Sequence, residues 1–106
     1  MNYELRKGRD GWEAKSVVPY GEGHTLRIST GKTSRGGLST SVTRVKEDGD
    51  GCYSFMMFAD YSKAFAVDRS ARCTEKSVRL LHEESLARFD EIKADVDAFY
   101  AAKGAA

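Results

Sequence analysis

Arg27, Lys32, Arg35, Arg44 and Lys46 all fall within residues 24–46, a stretch with no Asp or Glu and nine Ser or Thr side chains. Guanidinium, ammonium and hydroxyl groups beside a glycine-bearing backbone are the groups that hold phosphate oxygens. A basic hairpin flanked by aromatic rings can also bind single strands, because bases stack on the rings while cations follow the phosphates. Trp12, Tyr20 and Tyr61 are the candidate rings. The chemistry indicated is therefore anion contact, with the five cations on phosphates and Trp12 and Tyr20 as stacking surfaces. The same residues also fit a plainer role, since edge strands carry charge to prevent aggregation.

The charge of the whole chain hides this asymmetry. It is +1 over 106 residues, far from the strongly basic footprint of most nucleic-acid binders. Residues 1–46 carry nine basic and four acidic side chains; residues 47–73 carry three and five, and residues 74–106 five and seven.

Other motifs fail on spacing. Gly31-Lys32-Thr33 resembles the end of a phosphate-binding loop, but the pattern needs a Gly where Leu26 stands and a helix where Ser34-Arg35-Gly36-Gly37 follows. Asp48-Gly49-Asp50-Gly51 lacks the ligands of a calcium loop at Cys52 and Tyr53 and reads as a hairpin turn. His24 and His82 have no second ligand at metal spacing, so no metal and no cofactor are expected. His82 falls on an apolar stripe and reads as a hydrogen-bonded core histidine. His24 has no nucleophile beside it. Cys73 precedes a helix start, a position that can lower a thiol pKa, which makes an enzyme using Cys73 or His24 the weakest reading. Cys52 and Cys73 are expected as free thiols.

The elements that must position these residues divide the chain in two. Glycine clusters at residues 8–11, 21–23, 31–37 and 48–51 mark turns. Between them, residues 3–7, 12–20, 25–30, 38–46 and 52–60 are strand-like, the last apolar on both parities and so expected in mid-sheet. From Thr74, a plausible N-cap, the stripe Val78, Leu81, His82, Ser85, Leu86, Phe89, Ile92, Val96, Phe99 and Tyr100 recurs at three and four residues. It predicts a single helix to about residue 103. With no Pro or Gly to bend it, that helix would run ~43 Å and overhang its sheet, which predicts a homodimer through the helix.

The prediction is one α+β domain over residues 1–106. An antiparallel β-meander of four to five strands (about residues 2–68) packs against one long C-terminal α-helix (about residues 74–103). The longest apolar run is residues 55–59 and the N-terminus has no apolar core, so a cytoplasmic protein with no membrane partner is expected.

Strands followed by one long helix resemble, in element order, the small dimeric single-strand-binding folds of the PC4 and Whirly type. Gly8-Arg9-Asp10-Gly11-Trp12-Glu13-Ala14 and Ala71-Arg72-Cys73-Thr74-Glu75-Lys76 are similar to an uncharacterised family of small proteobacterial proteins, a resemblance that brings no activity with it. The functional expectation is a non-enzymatic binding domain that contacts single-stranded nucleic acid or another polyanion through the basic hairpin. The alternative is a homodimeric protein-interaction module.

Overall fold

The computed structural model describes residues 3–9, 11–20, 24–46 and 61–104. Five strands precede two helices: β1 (Glu4–Gly8), β2 (Gly11–Pro19), β3 (His24–Lys32), β4 (Leu38–Lys46), β5 (Tyr61–Asp68), α1 (Glu75–Ala87) and α2 (Phe89–Gly104). The strands lie in sequence order and every neighbouring pair is antiparallel, so the expected α+β meander is present.

Period-two alternation decides which face meets the helices. Leu26, Ile28 and Thr30 of β3 pair with Arg44, Val42 and Thr40 of β4, and all six share the helix-covered face. Arg27, Ser29, Ser41 and Thr43 share the other. Between sheet and helices lie two apolar clusters. One joins Leu26, Ile28, Val42 and Tyr61 to Ile92 and Val96 of α2; the other joins Ala14 and Leu38 to Val78 of α1. Each buried aliphatic side chain contributes roughly 1.5–3 kcal/mol. The clusters are separated by a polar band of Ser16, Thr30, Thr40, His82 and Ser85, all buried.

Two expectations need correction or qualification. The predicted single long helix is two helices that meet at Arg88, whose φ of −104° and ψ of 27° are not helical. Arg88 donates its N–H to Ser85 O at 3.0 Å, while its own carbonyl accepts from Glu91 and Ile92 at 3.0 and 3.2 Å. One residue thus closes α1 and opens α2. No Pro or Gly is needed, because Ser85 Oγ donates back to Leu81 O at 2.8 Å, a bond that competes with the helical ladder and bends helices.

The predicted strand at residues 52–60 lies outside the described residues. The fifth described strand is β5, which the alternation pattern did not single out. Its pairing with β4 shifts between Thr40 and Ser41, opposite Ala66 and Ala64, so that Phe65 is the extra residue of a bulge. Phe65 packs against the α2-side cluster, and the Arg88 guanidinium sits 4.6 Å from its ring. No described helix is long and apolar enough to cross a membrane.

Candidate functional site

The strand register disperses the five predicted phosphate-binding cations. Arg27 lies opposite Thr43 on the face away from the helices, whereas Arg44 lies opposite Leu26 on the face beneath them. Lys32 pairs with Leu38 at one end of the hairpin, and Lys46 pairs with His24 at the other. Eight residues of strand, about 27 Å, separate those ends. Arg35 sits exposed in the turn beyond Lys32.

Arg44 and Tyr20 work in the core. The Arg44 guanidinium is 4.0 Å from the centroid of the Tyr100 ring and 5.5 Å from that of Tyr20. Tyr20 in turn donates its hydroxyl to the Asp97 carboxylate of α2. Burial, then that carboxylate, raises the Tyr20 pKa above the usual phenol value.

A different set of cations converges at the other end of the sheet. Three connections meet there: the β1–β2 turn, the β3–β4 turn and the segment leading from β5 to α1. Their contact is close enough to require glycine. A Cβ on Gly11, at φ +116°, would stand 2.8 Å from Cys73 Sγ; one on Gly37, at φ +80°, would stand 2.5 Å from both Arg69 Cα and Asp68 O. The Cys73 thiol donates to Trp12 O at 3.2 Å, tying the lead-in of α1 to the start of β2.

These connections carry Arg9, Lys32, Arg35, Arg69 and Arg72, all exposed. Among the described residues, the carboxylates at this end are engaged locally. Glu13 pairs with Arg6 and Glu75 with Arg79, while Asp68 Oδ1 accepts from Ser70 N at 3.1 Å and Ser70 Oγ at 2.8 Å. The Ser70 bonds hold the Asp68 pKa below its ordinary value. Among the described residues, no ion pair reaches the five cations. The positive end of α1, capped by Thr74, points out of the same surface. A groove of about 300 Å3 opens between β1, β2 and β3, lined among others by Arg9 and Lys32; Trp12 borders it, but its side chain is half-buried against the cluster of Ala14, Leu38 and Val78 on the helix-covered face.

Lys32, Arg35 and Trp12 are therefore brought together, while Arg27, Arg44, Lys46 and Tyr20 lie elsewhere. Sequence reasoning missed Arg9, Arg69 and Arg72. The signal was present in Arg69-Ser70-Ala71-Arg72, two arginines in the short connection before the Thr74 cap, but the acids of residues 47–60 swamped it in the regional sum.

His82 is fully buried, with Nε2 2.8 Å from Ser16 Oγ and Nδ1 2.8 Å from Thr30 Oγ1. Burial holds its pKa below the usual imidazole value. Cys73 is a free thiol. Among the described residues, no group of three or more His, Cys, Asp or Glu is placed to hold a metal ion. Comparison with protein-family models, with curated proteins and with solved structures returned no match.

Proposed function

We propose that the chain is a non-enzymatic binding domain that holds a polyanion, single-stranded nucleic acid, on the basic end of its sheet. One observation carries the reading: three loops in contact present Arg9, Lys32, Arg35, Arg69 and Arg72, with the described carboxylates Glu13, Asp68 and Glu75 engaged by other partners. Arginine favours this chemistry because its planar fork matches phosphate oxygens and stays charged at any physiological pH. The interface proposed differs from a β3–β4 hairpin surface, since it spans three connections and uses only the turn end of that hairpin. Placement of His82 within a satisfied buried network supports a binder over an enzyme.

The test is a salt titration of binding to a labelled oligonucleotide. Five phosphate contacts to a single strand correspond to a slope of log K against log salt of roughly −3.5. Absence of binding at low salt rejects the proposal.

A further inference from the structure

The two edges of the described sheet, β1 and β5, are guarded unequally. β1 is five residues long and carries Glu4, Arg6 and Lys7, the kind of charge that keeps an edge from pairing with another strand. β5 is eight residues long and carries two charges, Lys63 near its start and Asp68 at its end, with the uncharged run Ala64–Val67 between them. Ser62, Lys63, Ala64, Val67 and Asp68 are exposed. An edge strand offers unpaired N–H and C=O groups to any strand whose side chains can match it.

We propose that this edge pairs with β5 of a second copy, joining two five-stranded sheets about a two-fold axis. The pleat and the bulge together set the register. Through their partners on β4, Lys63, Ala66 and Asp68 lie on the helix-covered face, and Ser62, Ala64 and Val67 on the open face. Phe65, the extra residue, also packs toward the helices. Residues opposite each other in a strand pair must point to the same face. An axis between Phe65 and Ala66 meets that condition throughout residues 63–68. Lys63 of one copy then stands opposite Asp68 of the other on the helix-covered face, and Ala64 opposite Val67 on the open face. The axis makes each contact twice. Shifting either strand by one residue sets open-face residues against helix-face ones. An axis through Lys63 also matches faces, but it sets the two lysines against each other. Asp68 Oδ1 already accepts from Ser70, and a carboxylate has further lone pairs for a lysine.

The bulge selects the occupant. A regular strand alternates strictly, so its faces can match those of β5 on only one side of Phe65. A second β5 carries the same irregularity, and the axis sets the two bulges side by side. The pairing makes no use of the five cations at the basic end, so its test needs no nucleic acid and is independent of the polyanion reading.

The experiment is sedimentation velocity over a concentration series up to millimolar protein, with melting curves to verify folding. It compares the native chain, Lys63→Glu, Asp68→Lys and an equimolar mixture of the two variants. The native chain is expected to pass from monomer to dimer as concentration rises. Each variant alone sets like charges opposite each other twice and should associate about tenfold more weakly. The mixture restores opposite charge in both pairs and should dimerise as the native chain does, a result that a contact elsewhere on the molecule does not produce. Lys63→Gln removes the attraction at an exposed site without adding repulsion; it guards against a folding defect and should weaken association several-fold. A native chain that stays monomeric throughout overturns the proposal. So does any of these folded variants that dimerises alone as well as the native chain.

Discussion

His82 on α1 and Ser16 on β2 meet through a 2.8 Å contact between Nε2 and Oγ, at a point where neither side chain is more than 1% exposed. From the other side of the ring the chain of polar groups continues. Nδ1 lies 2.8 Å from Thr30 Oγ1, Thr30 Oγ1 lies 2.6 Å from Thr40 Oγ1, and Thr40 Oγ1 lies 3.1 Å from Ser85 Oγ. Ser85 ends the chain on Leu81 O at 2.8 Å. Ser85 Oγ is the donor toward both Thr40 Oγ1 and Leu81 O, so its one proton is shared between them. Each imidazole nitrogen has one hydroxyl partner, an arrangement that suits the neutral ring.

The network makes stability depend on pH in a definite sense. The folded pKa of His82 is lowered, by burial first, with Glu83 opposing; the Tyr3 ring packs on the imidazole at 4.9 Å. The unfolded chain binds a proton near pH 6.5, whereas the folded chain does not. The contribution is therefore complete above about pH 6.5 and is lost as pH falls from there through the folded value. Urea unfolding at pH 7.5 and pH 5 should show the midpoint falling with acidity, and His82→Gln should reduce that dependence. An unchanged slope in the variant would assign the effect to other groups.

Removing the imidazole while keeping its volume separates hydrogen bonding from packing. His82→Leu leaves the Ser16 and Thr30 hydroxyls buried without their partner, at a cost of about 1–3 kcal/mol each. Denaturant midpoints measure it. A variant as stable as the native chain would mean that the hydroxyls find other partners.

Arg44 and the cations at the sheet end should respond oppositely to truncation. Arg44→Met removes a charge held over two rings and should lower stability by about 1–2 kcal/mol with the salt slope of oligonucleotide binding intact. Arg69→Gln or Arg35→Gln should leave the melting temperature within a degree or two. Each should make the salt slope shallower by about 0.7.

The two turn glycines of the β3–β4 connection offer a controlled comparison. Gly36, at φ +90°, has open space at its Cβ position, while Gly37 meets the Arg69 backbone at 2.5 Å. Gly36→Ala should cost about 1 kcal/mol, the strain of a positive φ. Gly37→Ala must also displace the β5–α1 segment, so it should cost more in stability and weaken oligonucleotide binding. Equal effects would argue against close loop contact.

Much of the fold was legible in the residues. Alternation in β2, β3 and β4 placed Ala14, Leu26, Ile28 and Val42 on their faces, and the stripe from Val78 to Val96 marked the buried side of both helices. β5 was not legible because only Tyr61 is buried along it and the bulge at Phe65 breaks its parity. The break at Arg88 depends on Ser85 turning its hydroxyl to Leu81, which no spacing rule announces. The candidate site was half legible. Lys32, Arg35 and Trp12 join through strand register, but Arg69 and Arg72 reach them only through the approach of Gly37 to Arg69.

The hydroxyl-and-imidazole band between the two apolar clusters also acts as an alignment key. Aliphatic surfaces are nearly indifferent to axial position, so a helix pair resting on Leu and Val alone could slide a turn along the strands at little loss. Sliding α1 by one turn would carry His82 off Ser16 and Thr30, stranding three polar groups against hydrocarbon. The seam therefore admits one docking position. It locks where the lead-in of α1 lands, and with it Arg69 and Arg72.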